Sequence, residues 1–73
     1  MNIYLVTIIC KLTHDVQIWS VLATSCEAAR DMVLRVVNVG NQRGMWDVMK
    51  ESNGSEAVVE ATDDPTMIAA YDY

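Results

Sequence analysis

The chain has 73 residues, of which 52% are hydrophobic, and a formal net charge of −5 at pH 7. This hydrophobic fraction excludes a disordered chain, and the length allows one domain with a small core. No apolar run reaches the roughly 18 residues of a membrane span, and the first residues lack the basic region of a secretory signal. We therefore expect a cytoplasmic protein with no membrane partner.

The charge is unevenly placed along the chain. Residues 1–43 hold four basic and three acidic side chains, whereas residues 44–73 hold one basic and seven acidic side chains. An acidic half repels nucleic acid and attracts basic protein surfaces. We therefore expect no direct nucleic-acid binding and a protein partner with a basic surface.

Two strands are predicted in the first third of the chain. Residues 3–12 are apolar at both odd and even positions and rich in β-branched side chains, which is typical of a central strand. The polar residues Thr13, His14 and Asp15 predict a turn, and residues 16–23 predict a second strand. No Asn-Gly or Asp-Gly pair fixes the register of this hairpin.

One helix is predicted over residues 25–38. Thr24 and Glu27 form a capping-box pattern, with Thr24 as the N-cap. Apolar residues at helical spacing predict a buried stripe, and Leu34 falls on the polar side. The stripe consists of Ala28, Ala29, Met32, Val33, Val36 and Val37.

Two further strands are predicted after the helix. Residues 45–51 alternate as a third strand, and Asn53-Gly54 predicts a tight hairpin leading to a fourth strand over residues 56–62. The resulting α+β fold is β-β-α-β-β, a four-stranded antiparallel sheet of order 2-1-3-4 with one helix packed on one face. The alternation of the first two strands predicts that Val6, Ile8, Cys10, Trp19, Val21 and Ala23 point into the core. Residues 1–62 form the domain, and residues 63–73 form an acidic tail that is either loose or folded back.

One helix cannot cover both faces of such a sheet, so the opposite face is left with apolar side chains. The tail, a second copy in a weak homodimer, or a different protein could cover it. We expect a partner to bind there, steered by acidic residues of the C-terminal half. The predicted partner-binding residues are Ile3, Leu5, Thr7, Ile9, Ile18, Leu22, Met45, Met49, Glu56, Glu60, Asp63 and Asp64.

No residue pattern indicates an enzyme, a cofactor or a metal site. Cys10, Cys26 and His14 lack the spacing of metal ligands, and neither thiol has a neighbouring base in the sequence. Asp63 and Asp64 precede Pro65 in a predicted solvated turn, whereas acid–base chemistry needs a cleft. We expect a protein that works by binding and makes or breaks no covalent bond.

The segment Val-Leu-Ala-Thr-Ser-Cys-Glu-Ala, residues 21–28, resembles a strand-cap-helix pattern of small phage and bacterial proteins. That group includes phage inhibitors of host RNA polymerase and some anti-CRISPR proteins. In length and general character the chain is most similar to the RNA-polymerase-binding transcription regulator of a lytic Xanthomonas phage. The resemblance implies binding to bacterial RNA polymerase, inhibition of σ-dependent initiation and antitermination, in a host bacterial cytoplasm.

Three functional hypotheses follow from these observations. The first is a phage-encoded protein that binds host RNA polymerase and inhibits initiation. The second is an anti-CRISPR or other host-defence inhibitor that acts through protein–protein binding, with acidic side chains dominating the contact. The third is a self-associating structural module.

Overall fold

The computed structural model describes residues 2–53 and 64–71. These form one antiparallel sheet in the order β3-β1-β2-β4 and one α-helix, which confirms the predicted α+β class. A short 3-10 turn lies between the helix and the third strand. The elements are β1 (Asn2–Cys10), β2 (Val16–Ala23), α1 (Cys26–Val37), the 3-10 turn (Gly40–Gln42), β3 (Trp46–Asn53) and β4 (Thr66–Tyr71).

The core lies between α1 and one face of the sheet, which we call the helix face. Alternate residues of β1 point into it, and Val6 and Ile8 have no solvent-accessible surface. Tyr4 pairs with Val21 on β2, so the predicted division of β1 and β2 into inward and outward positions is confirmed. The buried core consists of Tyr4, Val6, Ile8, Cys10, Val21, Ala23, Ala29, Val33, Val37 and Trp46.

The predicted sheet order is wrong at the fourth strand. The order β2-β1-β3 within the sheet is as predicted, but β4 comes from residues 66–71 and pairs with β2. Without β4, β2 would be an edge strand with unpaired backbone groups. The apolar C-terminal segment forms backbone hydrogen bonds with these groups. The predicted strand over residues 56–62 lies outside the described residues, and of the two alternatives for the tail, residues 66–71 fold back.

The predicted helix N-cap is also wrong. Ser25, in an extended conformation, is the N-cap, and its hydroxyl accepts a hydrogen bond from the Ala28 amide at 3.1 Å. Thr24 is exposed and precedes the cap. Ser and Thr are both good N-cap residues. Because Ser25 is the N-cap, the helix begins one residue later than the capping-box pattern indicates.

The helix is rotated slightly from its predicted orientation. Ala29 and Val33 are fully buried, and Leu34, predicted on the polar side, packs against the core. Val36, predicted in the buried stripe, is 43% exposed. The buried positions recur every four residues, so the stripe is narrower than predicted and shifted toward Leu34.

Asn38 joins the end of α1 to the start of β3. Its side-chain oxygen accepts from the Trp46 amide at 3.0 Å, and its side-chain nitrogen donates to the Trp46 carbonyl at 3.2 Å. The Asn38 amide also caps α1 by donating to the Leu34 carbonyl. The Asn38 side chain therefore ties the end of α1 to the start of β3.

Replacing Ser25 by Ala tests the capping assignment. We expect Ser25→Ala to lower the free energy of unfolding by about 1 kcal/mol, because the Ala28 amide loses its acceptor. Thr24→Ala is the matched control and should change it by less than about 0.5 kcal/mol. Urea denaturation measures both, and an equal loss in the two variants would contradict the assignment.

Replacing Asn38 by Ala tests the link between α1 and β3. The half-buried Trp46 amide and carbonyl would both lose their partner, so Asn38→Ala should cost about 1–3 kcal/mol of unfolding free energy. Asn41→Ala, at an exposed asparagine three positions further along, should stay within about 0.5 kcal/mol of the original chain. Equal stabilities of the two variants would show that the link is not needed.

Candidate functional site: the open sheet face

The face of the sheet opposite α1, which we call the open face, is built by the outward positions of β1, β2 and β4. Cross-strand pairs place Ile3 opposite Leu22 and Thr7 opposite Ile18. Ile18 in turn faces Ala69 on β4. The apolar centre of the open face consists of Ile3, Leu5, Ile9, Val16, Ile18, Leu22 and Ala69, all of them half-buried, with the exposed Tyr71 beside Val16.

Among the described elements, α1 packs on the helix face, where its buried residues join Val6, Ile8 and Val21 in the core. β4 extends the sheet sideways from β2. Ser20, which pairs with Leu5 on this face, is fully buried, whereas the apolar side chains around it remain partly accessible. Their half-buried state therefore leaves apolar surface that a partner could remove from water.

Charged side chains border the open face along β3. Lys11 and Asp47 form an ion pair at 3.5 Å, and both are more than half exposed. Asp47 pairs with Ile9 and Lys50 pairs with Thr7, so both lie at the β3 side of the apolar centre. An apolar centre with a charged, solvated border is the usual anatomy of a protein–protein interface.

Two methionines, Met45 and Met49, were predicted on this face. Met45 precedes β3 and packs against the core. Met49 is the extra residue of a bulge in β3 opposite the Thr7–Ile8 step, and it is 57% exposed. The bulge breaks the simple alternation from which the face of Met49 was predicted.

Of the four acidic residues predicted to bind the partner, the structure describes Asp64 alone. Asp64 is exposed just before β4. Glu56, Glu60 and Asp63 lie outside the described residues. The open face itself carries Asp47, which the sequence reasoning omitted.

Three apolar residues of the open face were missed. Val16 shares the outward alternation of Ile18 and could have been found from it. Ala69 and Tyr71 belong to the open face only because β4 pairs with β2, and no signal in the sequence indicates that pairing.

The cysteines do not belong to the open face. Cys10 lies on the helix face, and a hydrogen bond with the Thr13 side chain lowers the pKa of its thiol, assisted by backbone bonds from Thr13 and Leu12. Burial and the charge of Asp15 oppose that shift. Cys26 is exposed at the start of α1. Within residues 2–53 and 64–71, no three His, Cys, Asp or Glu side chains converge as metal ligands.

No protein-family model matches the chain, and neither curated proteins nor solved structures show a significant similarity to it. No helix in the described part of the chain is both long and apolar enough to cross a membrane.

Proposed function

We propose that this protein acts by binding another protein through its open face, without covalent chemistry. The observation that carries the proposal is a run of half-buried apolar side chains across β1, β2 and β4, on the face that α1 does not cover. Contiguous apolar surface rimmed by charged residues usually marks a site of protein–protein interaction.

The energetics favour contact by burial. Completely burying a Leu or Ile side chain stabilises a complex by roughly 1.5–3 kcal/mol relative to full exposure, and half-buried residues can supply part of that. The open face carries five half-buried Leu and Ile side chains, Ile3, Leu5, Ile9, Ile18 and Leu22. The combined burial energy of these side chains is sufficient for specific binding if a few central residues contribute most of it.

The partner we propose is bacterial RNA polymerase, with inhibition of σ-dependent initiation as the consequence and antitermination as a further effect. The support is the resemblance of residues 21–28 and of the chain's length and acidic character to small phage regulators. The net charge of −5 would speed association with a basic surface of the polymerase, while the open face would hold the complex.

Substitution at the centre of the open face tests this proposal. Ile18→Asp places a charge between Thr7 and Ala69 and should weaken binding to purified bacterial RNA polymerase holoenzyme by about thirtyfold or more, equivalent to about 2 kcal/mol. Leu12→Asp is the matched control, because Leu12 is 74% exposed in the turn after β1. Its affinity should stay within about threefold of the original.

Affinity is measured by biolayer interferometry, and function by promoter-dependent transcription with the same holoenzyme. Ile18→Thr, which keeps a β-branched side chain, separates loss of contact from loss of folding and should weaken binding less than Ile18→Asp. Absence of binding by the original chain would refute RNA polymerase as the partner. Equal binding by Ile18→Asp and Leu12→Asp would refute the open face as the site.

Salt dependence distinguishes this proposal from an inhibitor that occupies a basic nucleic-acid channel. Contact through the apolar open face should leave the dissociation rate nearly constant between low and physiological ionic strength. An inhibitor that fills a basic nucleic-acid channel with acidic side chains would dissociate much faster at physiological than at low ionic strength. Sedimentation of the isolated chain tests the self-associating alternative, which requires a dimer that Ile18→Asp converts to a monomer.

A further inference from the structure

The two edges of the sheet differ in how they are protected. β3 carries Asp47, Lys50 and Glu51, and a bulge interrupts it. β4, with the sequence Thr-Met-Ile-Ala-Ala-Tyr, has no charged residue and no proline. Charges, prolines and bulges are the usual means by which an edge strand avoids pairing with another chain. β4 also has a bulge, at Ile68, but otherwise lacks this protection.

The side chains of β4 are well exposed for a strand in so small a domain. Met67 is 47% exposed, Ile68 42% and Tyr71 60%. In the described sheet β4 pairs with β2 alone, so its other side is an edge. An exposed apolar edge of this kind is a template for an additional strand.

A groove of about 490 Å³ opens beside β4 on the helix face. Trp19, Trp46 and Met67 line it, together with Val36 and Val39 at the end of α1. No charged side chain is among its described lining residues. Its volume lies within the range of roughly 300–1,000 Å³ that is typical of binding pockets.

The two tryptophans present apolar surface to this groove. The Trp19 indole donates to the Gln17 side chain and the Trp46 indole to the Gln42 side chain, each at 3.0 Å. Because both indole donors are paired within the chain, a ligand that contacts the rings need not supply an acceptor for either of them.

The groove and the free edge are adjacent. Met67 pairs with Trp19, and both side chains lie on the helix face. A strand added to β4 would run about 4.8 Å from it and place alternate side chains on the same face as Met67. One of them would enter the groove, so the edge would supply backbone hydrogen bonds and the groove would select a side chain.

The sequence around β4 opposes a second copy as the added strand. Asp63 and Asp64 precede β4, and Asp72 follows it. Antiparallel pairing of two identical strands brings the start of one beside the end of the other, and in the sequence both of these ends are flanked by acidic residues. Like charges that face each other across two strands are destabilising. Basic residues at the two ends of a partner segment would instead be attracted to the acidic residues that flank β4.

We propose that the free edge of β4 binds an extended segment of a partner protein as a fifth strand. One large apolar side chain of the segment occupies the groove beside Met67, and basic residues flank the segment at both ends. This site lies along the outer edge of β4 and on the helix face, whereas the open face lies opposite α1, and it does not depend on RNA polymerase being the partner.

The test uses the full chain and a synthetic peptide, Lys-Lys-Val-Thr-Val-Trp-Val-Thr-Val-Lys-Lys, with a second peptide in which Glu replaces every Lys. The Lys-flanked peptide should bind at least about tenfold more tightly than the Glu-flanked one. At saturation, hydrogen exchange by NMR should slow at amides of residues 66–71 and stay unchanged on β3.

Two matched variants locate the site. Met67→Lys adds a charge at the β4 edge and in the groove, and should weaken peptide binding by at least about tenfold. Met49→Lys adds the same charge on β3, the other edge strand, where the methionine is also exposed. Its affinity for the peptide should stay within about twofold of that of the original chain. Near-UV circular dichroism confirms that both variants fold, and Ile68→Lys repeats the test at a neighbouring exposed position.

Several results would overturn the proposal. One is the absence of binding by the Lys-flanked peptide up to about 1 mM. Equal weakening by Met67→Lys and Met49→Lys, or slowed exchange on β3, would place the peptide elsewhere. A dimeric mass by sedimentation, with residues 66–71 protected before any peptide is added, would show that a second copy occupies the edge.

Discussion

β1 presents apolar side chains to both faces of the sheet, and one helix can cover only one of them. Ile8 is fully buried under α1, while its neighbour Ile9 lies half-buried on the open face. Successive residues of a strand point to opposite faces, so burial of the even positions of β1 directs the odd positions outward. The core, the open face and the proposed binding function all follow from this division.

The position of α1 depends on few contacts beyond its buried stripe. Asn38 bonds both backbone groups of Trp46, and Arg30 on the helix lies 3.7 Å from the Glu51 carboxylate of β3. Arg30 is partly exposed, so that ion pair contributes little, whereas the Asn38 bonds satisfy half-buried backbone groups. The indole of Trp46, which lines the groove beside β4, donates instead to the Gln42 side chain.

Much of the fold was predictable because burial enforces alternation. Val6, Ile8 and Val21 were assigned inward from their spacing alone, and all three are fully buried. The same alternation placed Ile18 and Leu22 outward. These positions are fixed because a shift of one residue in register would expose the core.

The features that were not predicted correctly depend on interactions that local sequence patterns do not reveal. A bulge at Met49 interrupts the alternation of β3, and no glycine or proline marks it in the sequence. Ser25 and Thr24 are both good N-cap residue types, and Ser25 is the one that makes the cap. The pairing of β4 with β2 joins residues about fifty positions apart, and no local turn signal connects them. Ala69 and Tyr71 were missed for that reason.

The central claim is that the open face is exposed to solvent in the isolated protein. The solvent exposure of methyl groups on the two faces of the sheet tests it most directly. A soluble paramagnetic agent added to methyl-labelled protein should broaden the resonances of Ile9, Ile18 and Leu22 strongly. Those of Ile8, Val21 and Val33 should be affected little. The contrast between Ile8 and Ile9 is decisive, because the two residues are adjacent in sequence and differ in the face they occupy. Equal protection of both sets in the isolated monomer would show that the open face is already covered and would contradict this account.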